Sequence, residues 1–224
     1  SKSSKNDIQK YFHVDASKIH VIPNGIDTGI FKPNPMISKK PFKLITTASA
    51  DVPLKGLDFT LRAIAIAKDK YPLINLVVIG KPRSGGHTER LISKLGIDKF
   101  VSFKTNLTNQ EVSDEYASSQ IAIVSSLYEG FGFPVGEAMA CAVPLIATDV
   151  ASIPEITGPY AEMIAPESHE DIFNSLDNIF QNYDHYMKKA NLGRDHILQN
   201  FSWSVIANSY IDHISSILTS HADI

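Results

Sequence analysis

The stretch from residue 120 to 155 places two short apolar runs on either side of a glycine loop and a helix. The runs IAIV at 121–124 and PLIA at 144–147 are short enough for strands that are buried on both faces of a sheet. Between them, SSLYEGFG at 125–132 has no periodicity, and Pro134 suits the first turn of a helix over 135–142. The pattern predicts a strand–loop–helix–strand unit, and open parallel sheets bind ligands at the edge where such loops lie.

Two carboxylates flank the glycine loop, Glu129 at its start and Glu137 in the first turns of the helix. Free N–H groups at 131–135 and the positive end of the helix dipole predict an anion site between them. The alternative is that Glu137 only complements the dipole and Glu129 is a solvated loop residue. The glycines, aromatic residues and proline around the pair favour the anion site.

Composition limits the classes of protein to consider. The 224 residues, 43% of them hydrophobic, suffice for one large or two small domains. Twenty-four acidic against 21 basic residues give a net charge of −3, which argues against a nucleic-acid-binding protein. The single cysteine, Cys141, excludes an intrachain disulfide, fits a reducing, cytoplasmic location and is interpreted as a packing residue. No apolar run approaches the length of a membrane span, and no signal-peptide pattern is present.

Further strands alternate with helices along the chain. Apolar runs predict strands at 42–48, 75–79, 100–103 and 161–164, with a candidate at 18–22. Helical patterns are found at 4–12, 57–68, 88–95, 109–118, 170–182, 183–199 and 204–218. Ser4 and Asn109 are the expected caps of the first and fourth of these helices. The alternation predicts an α/β fold with a parallel sheet and helices on both faces.

The tryptophan and the histidines of the chain allow two further predictions. Trp203, which precedes the last helix, is expected to be a buried aromatic anchor. The histidines show no metal-ligand spacing, and His185 and His213 have no obvious partner, so neither a metal nor a cofactor is expected.

The sequence EGFGFPVGEAMAC at 129–141, with VP at 143–144 and IAT at 146–148, resembles the donor-site signature of retaining glycosyltransferases of family 4, the glycosyl transferases group 1. These are GT-B enzymes, in which the active site lies between two Rossmann-like domains. PNGID at 23–27, FKP at 31–33 and FSW at 201–203 are also similar to the family. The resemblance covers almost the whole chain and corresponds to the carboxyl-terminal, donor-binding half.

The resemblance implies a Rossmann-like, doubly wound sheet in which residues 1–224 form a single donor-binding domain. This domain would be a fragment of a longer two-domain chain, since the sequence opens abruptly and without an initiator Met. The helix at about 204–218 would pack towards the other domain. The isolated fragment is expected to transfer no sugar.

The family clamps the donor diphosphate with an arginine and, six residues later, a lysine before glycine. Lys55 matches the lysine, whereas Ser49 occupies the arginine position and cannot neutralise charge. Either another cation substitutes, with Lys81 and Arg83 the nearest candidates by topology, or the affinity for diphosphate is reduced. The alternative for Lys55 is a solvated surface charge.

The remaining donor-binding residues are also implied by the resemblance. Glu137 would accept hydrogen bonds from the ribose hydroxyls, and Glu129, the candidate catalytic residue, would hold and orient the sugar. The N–H groups of Phe131 to Phe133, with Gly130 and Gly132 in the same loop, would take leaving-group charge alongside Lys55. The loop that contains Leu107 would lie against the nucleotide base.

The implied activity is transfer of a sugar, of the hexose type, from a nucleoside-diphosphate sugar to an acceptor with retention at the anomeric carbon. The other domain would recognise the acceptor, a sugar, lipid or protein, and the resemblance leaves open peripheral membrane association through that domain. Two alternatives remain: a non-catalytic nucleotide-binding module, and another GT-B enzyme such as a sugar-nucleotide epimerase or a phosphorylase. Turnover, dependence on an acceptor and dependence on free phosphate distinguish them.

Overall fold

A computed structural model of the chain describes residues 1–48 and 51–222. Its centre is a six-stranded sheet in which every neighbouring pair of strands is parallel. The strands are β1 (Lys43–Thr47), β2 (Asn75–Ile79), β3 (Val101–Lys104), β4 (Ile121–Val124), β5 (Leu145–Thr148) and β6 (Glu162–Ile164). Each of the six matches an apolar run in the sequence to within one or two residues.

The strand order is β3-β2-β1-β4-β5-β6. This is the order of the doubly wound Rossmann sheet, in which the chain moves outwards in one direction from β1 and in the other from β4. The register of the central pair aligns Leu44 with Ile121 and Ile45 with Ala122. The Rossmann-like α/β fold class is confirmed.

Helices cover both faces of this sheet. They are α1 (Lys2–Phe12), α2 (Leu57–Lys70), α3 (His87–Leu95), α4 (Asn109–Ala117), α5 (Phe133–Ala140), α6 (Ile153–Thr157), α7 (His169–Gln181), α8 (Tyr183–Asn200) and α9 (Trp203–Ala222). Because successive strand residues face opposite sides, Leu44 packs in a core with α2, α3 and α7, and Ile45 packs in a second core with α5, α6 and α8.

The N-cap residues predicted for α1 and α4 are wrong, because both helices begin earlier than the sequence indicates. Helix α1 is capped by Ser1, whose hydroxyl accepts from the N–H of Ser4, because the helix begins before the predicted cap. Helix α4 is capped by Thr108, which forms a reciprocal capping box with Glu111, so Asn109 is the first helical residue.

The strand predicted at 18–22 is wrong. Residues 16–18 form a short 3-10 turn, and the segment that follows has no strand among the described residues. The carbonyls of Ala16 and Ile19 instead accept hydrogen bonds from the Lys5 ammonium. Only Ile26, further along, forms an isolated parallel bridge, with Ser202. An apolar run forms a strand only where a partner edge is available.

Trp203 is half exposed rather than a buried anchor. One face of its ring covers Gly25, where an added Cβ would lie 2.4 Å from the indole. The rings of His213 and His185 pack against other rings: His213 stacks on His20 at 3.8 Å between ring centroids, and His185 packs edge-on against Tyr186. Cys141 is buried, as expected of a packing residue. None of the helices in the described ranges is long and apolar enough to span a membrane.

Candidate functional site

The strand order reverses between β1 and β4, and the candidate site lies at the carboxyl ends of these two strands. The loop after β1 contains Lys55, and the loop after β4 contains Glu129. Loops that diverge from adjacent strands leave a crevice at such a switch point, where doubly wound sheets bind their ligands. The fold therefore brings together two of the residues that the sequence singled out.

Gly56 allows the two loops to pack closely. It has a φ of 61°, and a Cβ at this position would lie 1.9 Å from the carbonyl oxygen of Ser125. The Ser125 hydroxyl donates to the carbonyl of Gly56 at 2.9 Å, and the N–H of Leu127 donates to the carbonyl of Leu54 at 2.8 Å. Only glycine permits both this backbone conformation and this approach.

Lys55 and Glu129 form an ion pair across the crevice. The Lys55 ammonium lies 2.7 Å from Oε1 of Glu129, which also accepts a hydrogen bond from the Ser126 hydroxyl at 2.7 Å. The Glu129 side chain is 10% exposed and that of Lys55 29%, so the pair is shielded from solvent on the Glu129 side. The carboxylate offsets the charge of the ammonium, which leaves less positive charge in the crevice than Lys55 alone would supply.

The glycine loop supplies unpaired backbone donors. The N–H groups of residues 130–133 make no hydrogen bond within the described parts of the chain. Gly132 has a φ of 96° and is the N-cap of α5. The expectation of a free N–H at Val135 is wrong, because that group donates to the carbonyl of Gly132 at 3.0 Å, and Pro134 has none. The free N–H groups of the predicted anion site are therefore those of residues 130–133.

Two hydroxyl residues that the sequence reasoning missed hold the glycine loop in place. Ser126 bonds the Glu129 carboxylate, and the buried Ser152 donates to the carbonyl oxygens of Glu129 and Phe131 at 2.7 and 2.8 Å. The signal available in the sequence was their position, since each serine lies within a few residues of the end of a buried strand. The distance along the chain between Ser152 and the loop concealed their contact.

Helix α1 lies beside the same loop. The carboxylate oxygens of Glu155 accept hydrogen bonds from the N–H groups of Lys2 and Ser3 at 2.8 and 2.7 Å. The Tyr128 hydroxyl donates to Asp7 at 3.1 Å. These contacts were not predicted from the sequence, and they join the start of the chain to the candidate site.

Glu137 lies on α5, and its side chain is half-buried. Burial raises the pKa of this carboxyl to about 7. Within the described residues its carboxylate makes no hydrogen bond or ion pair. Burial raises the pKa values of its neighbours Tyr116 and Cys141, and the charge of Glu137 adds to both shifts. A carboxyl that is partly withdrawn from solvent and has no partner is costly to ionise, and groups with such raised pKa values are concentrated at functional sites.

Two adjoining pockets extend from the crevice along the edge of the sheet. The first, of about 380 Å³, is lined by Thr47, Ala48, Lys55, Ile79, Gly80, Lys81 and Pro134. The second, of about 250 Å³, is lined by Ile79, Gly80, Lys81, Lys104, Thr105, Asn106 and Leu107. Lys81 lines both pockets, and its exposed side chain has no hydrogen-bond or ion-pair partner among the described residues.

Arg83 and Ser49 were also predicted to act on the diphosphate, and the structure does not place either of them beside Lys55. Arg83 lines neither pocket, and its backbone N–H donates to Asp51 at 2.8 Å. Of the two candidate cations, Lys81 therefore lies in the same pocket as Lys55. Ser49 lies outside the described residues. No group of three or more metal-ligating side chains occurs in the described ranges.

Comparison with known proteins decides the family. The family model for glycosyl transferases group 1 matches residues 31–196, which is well over half of the chain. The chain belongs to this family. The MMP α-(1→4)-mannosyltransferase of Mycolicibacterium hassiacum is 33% identical to it over 210 residues, which are 92% of this chain and 50% of the relative. The chain thus spans about half the length of the curated relatives it matches.

Solved structures of glycosyltransferases share the fold. The C-terminal domain of the group 1 glycosyl transferase LpcC from Francisella tularensis is 26% identical, with a TM-score of 0.69 over 80% of this chain and 100% of that one. Anabaena HepE, solved with UDP and glucose, is 19% identical, with a TM-score of 0.84 over 96% of this chain and 62% of that one. The architecture is that of the carboxyl-terminal half of a GT-B glycosyltransferase.

Proposed function

We propose that this group 1 glycosyl transferase chain binds a nucleoside-diphosphate sugar and forms the donor half of a retaining glycosyltransferase. The observation that carries the proposal is the half-buried carboxylate of Glu137, which has no partner among the described residues, has a raised pKa and lies on the helix that follows the glycine loop. A ligand with vicinal hydroxyls, such as a ribose, would supply the hydrogen bonds that the carboxylate lacks, and two oxygens facing a diol favour a bidentate contact.

The diphosphate would lie between Lys55, Lys81 and the free N–H groups of residues 130–133. Lys81 lines the same pocket as Lys55 and takes the place of the cation missing at Ser49. The Lys55 ammonium has three donors, so it can bond a phosphate while it remains close to Glu129. The positive end of α5 adds to the attraction for an anion at this position.

The nucleoside would follow the two adjoining pockets. With its ribose at Glu137 and its diphosphate at Lys55, the base lies towards the second pocket, where Leu107 and the backbone of residues 104–106 form the wall. Anabaena HepE, which has the same fold, was solved with UDP and glucose, and this supports a nucleotide sugar as the ligand class.

In the transfer step, the bond between the anomeric carbon and the diphosphate oxygen breaks and an acceptor oxygen bonds to the same face of the sugar. The leaving diphosphate takes the acceptor proton, so the step needs no second carboxylate. Lys55, Lys81 and the loop N–H groups stabilise the negative charge that develops on the leaving group. Glu129, held by Lys55 and Ser126, orients the sugar hydroxyls. No metal takes part in the proposed step.

The proposal assigns residues 1–224 to one donor-binding unit. Helix α9 presents exposed apolar residues, among them Tyr210, Ile211, Ile214 and Leu218, and we assign this face to contact with the acceptor-binding half. The proposal includes a hexose as the transferred sugar. It also places the protein in the cytoplasm, which rests on the buried, unpaired Cys141.

Calorimetric titration with UDP, GDP and ADP sugars tests the ligand class. We expect one of them to bind, and we expect Glu137→Ala to weaken binding by about 1.5–3 kcal/mol with the fold intact. Glu170→Ala is the matched control, since it removes an exposed carboxylate from the first turn of α7. Unchanged affinity in Glu137→Ala with thermal stability preserved would disprove the ribose assignment.

Assays of the same site within a two-domain protein test the reaction class. Acceptor-dependent sugar transfer supports the transferase. Conversion of the sugar nucleotide with no acceptor present identifies an epimerase, and dependence on free phosphate identifies a phosphorylase. Nucleotide binding with no turnover under any of these conditions identifies a binding module.

A further inference from the structure

Ser152 occupies an unusual position beneath the glycine loop. Its side chain is fully buried, and its hydroxyl lies 2.7 Å from the carbonyl oxygen of Glu129 and 2.8 Å from that of Phe131. A serine hydroxyl carries one proton, which is shared between these two acceptors. Among the described residues, no other donor reaches either carbonyl.

The orientation of these two carbonyls fixes the direction of two N–H groups. In a trans peptide the C=O and the following N–H point in opposite directions, and the chain has no cis peptide among its described residues. The N–H groups of Gly130 and Gly132 therefore point away from Ser152 and from the buried interior. Both are among the N–H groups that have no partner in the described parts of the chain.

The loop needs such an external constraint. Gly130 is exposed, a Cβ there would meet nothing within 4 Å, and its carbonyl oxygen accepts a long hydrogen bond of 3.4 Å from the Ser4 hydroxyl, so its backbone is only weakly held. Gly132 adopts a positive φ that glycine reaches without strain but also leaves without strain. Without the Ser152 hydroxyl, no hydrogen bond from the described residues would hold the carbonyl oxygens of Glu129 and Phe131, and rotation of either peptide unit would turn a carbonyl oxygen towards an anion in place of an N–H group.

We propose that Ser152 is a positioning residue that directs the N–H groups of Gly130 and Gly132 towards the diphosphate of the donor. The inference rests on the proposed function for the identity of the ligand. Ser152 does not touch the ligand, and its effect is confined to the part of the ligand that bears the phosphates.

The test compares ligands that differ in phosphate content. Ser152→Ala is expected to weaken binding of the preferred nucleoside diphosphate (UDP, GDP or ADP) and of inorganic pyrophosphate by about tenfold. The corresponding nucleosides are expected to change by less than about twofold, because they do not contact the two N–H groups. Binding is measured by calorimetry, and the thermal midpoint of each variant is recorded.

Two further variants separate positioning from stability. Ser119→Ala is the matched control, because Ser119 is also fully buried and its hydroxyl donates to the carbonyl of Glu115 at 2.7 Å, away from the loop. Ser152→Cys preserves the volume with a weaker donor and should fall between the wild type and Ser152→Ala. If Ser152→Ala does not fold, Ser152→Cys takes its place in the binding comparison.

The outcomes separate this inference from the proposed function. Equal weakening of nucleoside and pyrophosphate in Ser152→Ala, or equal weakening of pyrophosphate in Ser119→Ala, overturns the positioning role while nucleotide binding stands. A wild type that binds pyrophosphate in a Ser152-dependent way but no nucleoside diphosphate supports the positioning role and overturns the proposed function. A wild type that binds neither ligand overturns both.

Discussion

If Glu137 binds the ribose of the donor as proposed, its raised pKa should make donor binding depend on pH. Burial raises this pKa to about 7, whereas ribose hydroxyls donate to the ionised carboxylate. A ligand that requires the ionised carboxylate binds only the fraction of the protein in which Glu137 has lost its proton. We therefore expect the affinity for a sugar nucleotide to rise with pH and a proton to be released on binding at about pH 7.

The size of the effect follows from the fraction of Glu137 that is ionised. With a pKa of about 7, roughly a tenth is ionised at about pH 6 and about nine tenths at about pH 8. The affinity should therefore rise about tenfold over this range. An intact sugar nucleotide is the appropriate ligand, because it lacks the terminal phosphate whose second pKa of about 6 would add its own pH dependence.

Calorimetry in two buffers of different ionisation enthalpy measures both the affinity and the number of protons released. Glu137→Gln is the control, since it retains a hydrogen-bonding side chain but cannot titrate. A pH dependence that does not come from Glu137 is common to both proteins and is removed by the comparison. An equal pH dependence in the wild type and in Glu137→Gln would refute the reasoning.

The same shift affects the stability of the fold. The folded-state pKa of about 7 lies above the ordinary value of 4.5, so the folded chain binds a proton that the unfolded chain has lost between these values. Stability therefore decreases as pH rises from about 4.5 to about 7, by up to about 3 kcal/mol. Relative to the wild type, Glu137→Gln should gain stability over this interval, as measured by denaturant unfolding.

Three further predictions concern charge, packing and turnover. If Lys55 and Lys81 hold a diphosphate, nucleoside diphosphates should bind better than monophosphates, and calorimetry should find that the preference shrinks as salt rises, because both ammonium groups are at least partly exposed. Gly56→Ala should destabilise the fold by about 3 kcal/mol or more in denaturant unfolding, because its Cβ would lie 1.9 Å from the Ser125 carbonyl, whereas Gly85→Ala, with a similar φ of 64° and nothing within 4 Å, should cost only about 1 kcal/mol. In a transfer assay, residues 1–224 alone should bind donor without turnover, because a GT-B cleft has two walls; transfer by this chain alone would show that the active site is misplaced.

Much of the sheet could be predicted from the sequence because parallel strands buried on both faces are continuous apolar runs. The runs at 75–79 and 121–124 match β2 and β4 residue for residue. The run at 18–22 has the same character but finds no partner strand in the described chain. The apolar character of a run can be read from its own residues, whereas its pairing into a sheet depends on whether another strand lies beside it.

The candidate site was predictable in its residue types but not in its contacts. Lys55 and Glu129 were given separate roles, yet they form one ion pair across 74 positions of sequence. Ser152 was missed for the same reason, since only the packing of α6 against the glycine loop brings its hydroxyl to the two carbonyls. Trp203 was placed in the interior from its size alone, although covering Gly25 needs only one face of its ring.

Hydrogen–deuterium exchange with and without the best-binding sugar nucleotide tests most directly that the donor binds at the switch point of the sheet. The account predicts protection of residues 51–56, 104–107 and 129–137. It predicts no change at 180–185, which line a separate pocket between α7 and α8. Protection at 180–185, or binding without protection of the glycine loop, would contradict the account.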